Sequence, residues 1–212
     1  MTYVKICGIR ELTTMQAAID AGADYLGFVF HAPSPRHLDT STAAELIQHV
    51  PAHVKTVALF VDPDDKALES VLNRMRIDLV QLHGDETPQR AAEIKSKFRS
   101  KIIKAIRIGS KADAAAATAY KGIADFILFD AKSPDSAVRG GTGQRFDWDH
   151  LRGFDPGMNW FLAGGLTPEN VGEALSVLAP DVVDVSSGVE SAPGQKDAYK
   201  IQKFINAVHD PR

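Results

Sequence analysis

Eight short apolar, β-branched runs recur along the chain, separated by stretches of helical period. They are Tyr3–Ile6, Tyr25–Phe30, Thr56–Val61, Leu79–Leu82, Ile102–Ile106, Phe126–Phe129, Trp160–Leu162 and Val182–Val185. Each has the length of a strand buried on both faces, as parallel strands are. Between them, Leu68, Val71, Leu72 and Met75 follow the i, i+3, i+4, i+7 rule of an amphipathic helix. So do Val171, Ala174, Leu175 and Leu178, and then Ile201, Phe204, Ile205 and Val208. Asp62-Pro63, Thr87-Pro88 and Thr167-Pro168 each predict a capping oxygen before a proline at the first helical position. Thr42 and Glu45 have capping-box spacing. The alanine-rich stretch 112–119 reads as plain helix.

Ala23-Asp24, Ile77-Asp78, Ala124-Asp125 and Pro180-Asp181 each sit between a helix and the following strand. A recurring junction of this kind predicts repeated βα units. Eight strands alternating with helices predict an α/β fold: a (β/α)₈ TIM barrel of parallel strands, with residues 1–212 as a single domain. The segment 130–155 fits least well. It is rich in glycine and polar residues and predicts a long loop, with a short sixth helix over Phe146–Leu151. A doubly wound open sheet is the alternative. It calls for a glycine-rich nucleotide fingerprint after the first strand, and Cys7-Gly8-Ile9-Arg10 is not one.

The length, 212 residues, is near the short end for this barrel. A net charge of −3 gives no general basic field, which argues against bulk nucleic-acid binding. No apolar run approaches the ~20 residues of a membrane helix, and the first residues lack a signal-peptide pattern. Cys7 is the only cysteine, so no intrachain disulfide forms. That fits a cytoplasmic location. No CxxC or HExxH metal pattern is present, and no cofactor is signalled.

In a barrel the active site lies at the carboxyl ends of the strands. Those positions are Cys7, His31–Arg36, Asp62, His83-Gly84, Arg107, Asp130, Ala163-Gly164-Gly165 and Ser186-Ser187-Gly188. Gly164, Gly165, Ser186, Ser187 and Gly188 follow the seventh and eighth strands, the usual phosphate seat of this fold. Their glycines allow close backbone approach to an anion, serine hydroxyls add donors, and a helix N-terminus beneath adds partial positive charge. As tight turns alone, the same glycines need no ligand. Cys7 and Asp130 end strands one and six and face a shared mouth, where a thiolate accepts a proton and a carboxylic acid donates one. Cys7 also reads as a small buried apolar residue, and Asp130 as an ion-pair partner or cap. Arg36, stiffened by Pro33 and Pro35, has the fork to bind a carboxylate, or is a surface arginine. His83 is a hydrogen-bond donor to a ligand or a satisfied structural histidine. Gly140-Gly141-Thr142-Gly143 is a flap or an ordinary loop.

The ordered set of segments resembles the phosphoribosylanthranilate isomerase family of tryptophan biosynthesis. The matching segments are Lys5-Ile6-Cys7-Gly8-Ile9, Ser34-Pro35-Arg36, Gln81-Leu82-His83-Gly84, Phe129-Asp130 and Gly140-Gly141-Thr142-Gly143 with Phe146-Asp147-Trp148. Phe30 precedes the second of these, and Leu162-Ala163-Gly164-Gly165-Leu166 and Asp184-Val185-Ser186-Ser187-Gly188-Val189-Glu190, with Pro193-Gly194 and Lys196-Asp197 after it, complete the set. The resemblance implies an Amadori rearrangement of a phosphorylated aminosugar without a cofactor. It makes Asp130 the general acid, Cys7 the general base and Arg36 the clamp on the anthranilate carboxylate. It places His83, Gly143 and Asp184 at the substrate, and the loops around Gly165 and Ser187 at the phosphate. It allows a monomer or a homodimer, with no nucleic-acid or membrane partner. A metal-dependent sugar-phosphate epimerase is disfavoured, because only His83 is placed as a ligand. The related histidine-pathway isomerase carries aspartate where this chain has Cys7. A non-catalytic phosphate-binding barrel has no need of both Cys7 and Asp130.

Overall fold

The computed structural model describes residues 2–132 and 147–210. Eight strands run β1 Tyr3–Cys7, β2 Tyr25–Val29, β3 Lys55–Phe60, β4 Leu79–Leu82, β5 Lys101–Ile108, β6 Phe126–Ala131, β7 Trp160–Leu162 and β8 Val182–Val185. They pair in parallel in sequence order, and β8 pairs back to β1 through Tyr3↔Val182 to Ile6↔Val185, so the barrel is closed. The α-helices are α1 Leu12–Ala21, α2 Thr40–Ile47, α3 Asp65–Leu72, α4 Pro88–Phe98, α5 Val171–Val177 and α6 Ala198–His209.

Alternation along each strand divides the core in two. Val57, Leu79, Ile103, Leu128, Phe161 and Val182 point inward and form one cluster, with Tyr25 and Phe126 edge-on to Phe161. Val4, Ile6, Leu26, Phe28, Val80, Ile102 and Val183 point outward onto Met15, Leu68, Ile94, Val171 and Phe204 of the helices.

The four recurring aspartates have a physical role. Each precedes an even-numbered strand, and its carboxylate accepts the first amides of the odd-numbered strand before it. Asp24 holds Val4 N at 2.8 Å, Asp78 holds Thr56 N at 2.8 Å, Asp125 holds Ile102 N at 2.8 Å and Asp181 holds Trp160 N at 2.9 Å. The repeat is therefore a set of ties at the amino-terminal ends of the strands, opposite the site.

Helix starts agree in one case and shift in three. Thr87 caps α4 through Arg90 N, with Pro88 at the first turn. At α3 the cap is Asp64, not Asp62. Asp62 has a left-handed backbone (φ 46) and its carboxylate accepts Asp85 N instead. Asn170, not Thr167, precedes α5, because Asn170 Oδ1 accepts Thr167 N and folds 167–170 into a turn. Asp39 caps α2 by accepting Thr42 N, so Thr42 is inside the helix and no Thr42–Glu45 box forms.

The alanine-rich stretch is 3₁₀ helix, Asp113–Tyr120. Asp113 accepts Gly109 N and Ser110 N at its start, and Tyr120 OH donates to Glu86 O at its end. Anchoring at both ends overrides alanine's preference for the α form. The short sixth helix is a 3₁₀ turn, Trp148–His150, and Phe146 lies outside the described residues. After β8 come a 3₁₀ turn, Ser187–Val189, and a hairpin of β9 Glu190–Ala192 and β10 Gln195–Lys196, which no apolar run announces.

Candidate active site

Cys7 is the last residue of β1 and is 5% exposed. Inward alternation puts it above Lys5, and the two share one face of the strand. Burial pushes the Cys7 thiol up, and the Lys5 charge opposes that shift. Lys5 Nζ in turn lies 2.9 Å from Asp184 Oδ1. Asp184 is thus an inward-facing, buried ion-pair partner on β8, bonded to Lys5. Burial also pushes its carboxyl up, against the pull of Lys5.

Asp130 lies on β6, 6% exposed and facing the same interior. Its Oδ1 accepts Ala131 N at 2.8 Å, and its Oδ2 lies 3.1 Å from His83 Nε2. His83 Nδ1 is 2.9 Å from Gln81 Nε2. His83 therefore satisfies both ring nitrogens, as its structural reading requires, yet one of its partners is the candidate acid.

Arg36 is 8% exposed and lies over Gly8, where a Cβ would come within 2.8 Å of Arg36 Cδ. Gly8 has φ 83, so glycine is needed there twice over. Arg36 Nε and Nη2 each donate to a Glu190 oxygen at 2.8 Å, a fork-to-fork pair. Lys196 Nζ, from β10, binds Glu190 Oε1 at 2.6 Å. Burial raises the Glu190 carboxyl, but Arg36 and Lys196 outweigh it and hold it below its usual value.

The loops after β7 and β8 touch. A Cβ on Gly188 would lie 1.9 Å from Leu166 O, and one on Gly164 would lie 2.4 Å from Ala131 N. Gly164 and Gly165 take φ 84 and 68. Ser186 Oγ donates to Cys7 O at 3.0 Å and receives Lys196 Nζ at 3.3 Å, which ties the rim of β8 to that of β1. Gly188 itself belongs to the three-residue 3₁₀ turn. The α-helix begins only at Ala198, so the expected helix start is not directly beneath. Gly143 lies outside the described residues. Asp62 and Arg107 serve the scaffold: Asp62 accepts Asp85 N, and Arg107 pairs with the Asp85 carboxylate. Among the described residues, no group of three or more His, Cys, Asp or Glu is arranged to hold a metal ion.

Sequence reasoning assigns no role to Lys5, Gln81, Glu190 or Lys196, although all four lie in segments that carry the resemblance, and it passes over the buried Lys104–Glu86 pair. A signal for Lys5 and Gln81 is nonetheless present: a long polar residue two positions before a candidate site residue on the same strand face.

A closed parallel barrel with an acid, a thiol and adjoining glycine loops at one rim defines the class: a (β/α)₈-barrel enzyme. Residues 4–207 match the family model described as N-(5'phosphoribosyl)anthranilate (PRA) isomerase. An N-(5'-phosphoribosyl)anthranilate isomerase of Paramagnetospirillum magneticum is 50% identical over 99% of this chain and 98% of its own. That of Paracoccus denitrificans is 51% identical over 98% of this chain and 97% of its own. The crystal structure of phosphoribosyl anthranilate isomerase from Thermotoga maritima superposes with a TM-score of 0.89, at 35% identity over 99% of each chain. The chain belongs to the N-(5'-phosphoribosyl)anthranilate isomerase family.

Proposed function

We propose that the chain catalyses the Amadori rearrangement of N-(5'-phosphoribosyl)anthranilate to 1-(2-carboxyphenylamino)-1-deoxyribulose 5-phosphate, in tryptophan biosynthesis. Asp130 is the general acid and Cys7 the general base. The observation that carries this is their placement: both are buried, inward-facing and at the carboxyl rim, on β1 and β6. Family membership supports it. So does a structural neighbour, 34% identical and with a TM-score of 0.87, determined in complex with reduced 1-(o-carboxyphenylamino)-1-deoxyribulose 5-phosphate.

Asp130 gives its proton to the furanose ring oxygen. The C1'–O bond breaks, and the anilino nitrogen lone pair forms the C1'=N bond of a Schiff base. The Cys7 thiolate then takes the C2' proton, and its bonding pair becomes the C1'=C2' bond of an enolamine. The enolamine tautomerises to the ketone at C2'. No electron leaves the substrate, so proton transfers suffice. Arg36 binds the anthranilate carboxylate, with His83 and Asp184 supporting the acid and base. Gly164, Gly165, Ser187 and Gly188 approach the phosphate, whose binding energy positions the reacting carbons.

Among the described residues no helix is long and apolar enough to cross a membrane. With a required free thiol, the cytoplasm is the expected compartment.

The test is consumption of the fluorescent anthranilate adduct by the purified protein. Cys7→Ala and Asp130→Ala are expected to fold and to lose at least ~10²-fold in kcat. Near-native turnover by either removes its assigned role.

A further inference from the structure

Lys5 has no exposed surface, although it carries the most hydrated of cationic side chains. A buried ammonium is less stabilising than a well-packed apolar residue would be, so its presence asks for a reason. Its Nζ is 2.9 Å from Asp184 Oδ1, and Lys5 and Asp184 are register partners across the β8–β1 seam. On the other side of β1, Gly27 of β2 faces the same interior. A Cβ there would lie 2.8 Å from Cys7 Sγ and 3.2 Å from Lys5 Nζ. Thiol and ammonium therefore converge on one point, and only a hydrogen fits between them and β2.

The charged neighbours of Cys7 come from three elements: Lys5 on its own strand, Asp184 on β8 and Lys196 on β10. Asp130 and His83 bear on Asp184. With Cys7 as a thiol, the Lys5–Asp184 pair is neutral. Forming a thiolate there adds an anion at a largely buried position, Cys7 being 5% exposed, where an unpaired charge is costly.

We propose that Lys5 is the positioning residue of the base: its ammonium, gripped by Asp184, supplies the charge that stabilises the Cys7 thiolate, and Gly27 keeps that contact open. The proposal rests on the reading of Cys7 as the base. Lys5 favours the thiolate and Asp184 disfavours it, in keeping with their opposing influences on Cys7.

Cys7 is the only cysteine, so alkylation by iodoacetamide, followed by intact mass across pH, reads this one group in the folded protein. Lys5→Met should move the midpoint of the rate profile up by about 1 pH unit or more, and Asp184→Asn should move it down. Lys5→Arg keeps the charge and should stay nearer wild type than Lys5→Met. A purely structural ion pair predicts shifts of the same sign, or none, and either result overturns the proposal. If Lys5→Met does not fold, Asp184→Asn decides alone: a midpoint unchanged or raised overturns it. Cys7→Ala turnover separates the two readings. Near-native activity there ends the base assignment whatever the alkylation profiles show.

Discussion

His83 Nε2 lies 3.1 Å from Asp130 Oδ2, and Gln81 holds the other ring nitrogen. A histidine gripped at both ends fixes the rotamer of the carboxyl beside it. His83→Ala should leave Asp130 free to swing, with the Ala131 amide as its remaining described tie. Misplacing a reacting group by about 1 Å costs up to ~10²-fold. The expected result is a roughly 10- to 10²-fold loss in kcat with KM within about twofold. Steady-state kinetics with unchanged kcat would show that Asp130 needs no such guide.

Arg36 spends two donors on Glu190, so the carboxylate clamp proposed for Arg36 depends on Glu190. Glu190→Gln keeps the shape and removes the charge. Hydrogen bonds to charged groups are worth ~1.5–3 kcal/mol, so KM should rise by ~10-fold or more. Arg36→Met should raise KM with kcat less affected. Glu190 is also a linkage group. Its folded pKa is depressed, so its stabilisation is present above its unfolded value, near ~4.3, and is lost as pH falls through the lower folded value. Wild-type stability should fall with pH in that acid window. Glu190→Gln should flatten the fall, and parallel acid-unfolding curves would refute the assignment.

The eight strands are legible because parallel strands are apolar on both faces, and the runs from Tyr25 to Val185 match the observed strands within two residues at either end. Cys7, Asp130 and the glycine loops are legible because the barrel turns strand ends into a site. The hairpin of β9 and β10 is not, since Ser191 and Gln195 are polar and its pairing is only a few residues long. Lys5 is hidden inside a run that reads as strand. Its burial depends on Asp184, 179 positions away, and no local pattern reports such a partner. The misplaced caps at Asp62 and Thr167 share one cause. Both side chains lie in loops with competing local hydrogen bonds, and a sequence motif cannot weigh these.

Gly188 sits where the loops after β7 and β8 meet, its missing Cβ 1.9 Å from Leu166 O. The obstructing atom is backbone, so it cannot rotate away. Gly188→Ala should push the loops apart, costing about 1–3 kcal/mol of stability and raising KM with it. Urea unfolding combined with kinetics checks both. A variant with native KM would show that the Gly188 loop holds no phosphate.

Lys104 faces outward from β5, yet its side chain is 3% exposed. Its ammonium donates to Glu86 Oε2 at 2.7 Å and to Gly84 O at 2.8 Å, while Glu86 accepts Asp62 N and Gly84 N. This pair clamps the loop that carries His83. Lys104→Met leaves a buried carboxylate unpaired and should cost about 3–5 kcal/mol. Lys104→Met/Glu86→Gln should recover part of that loss. A double variant no more stable than the single would show that charge burial is not the cause.

The aspartate ties make a last prediction that separates stability from catalysis. Asp78 accepts both Thr56 N at 2.8 Å and Thr56 Oγ1 at 3.0 Å, at the ends of β3 and β4 remote from the rim. Asp78→Ala removes the charged acceptor and leaves a strand-initial amide unsatisfied, which should cost about 1–3 kcal/mol. Nothing at the site touches Asp78, so kcat and KM should stay within about twofold. Asp24, Asp125 and Asp181 make the same tie on three other strand pairs. The ties lie on separate strand pairs with no shared partner, so Asp78→Ala and Asp181→Ala should lower stability additively, within ~0.5 kcal/mol. Urea unfolding of the two single variants and the double measures this. A double variant whose loss falls well short of that additive value would mean that the four junctions do not act as independent fasteners of the barrel floor.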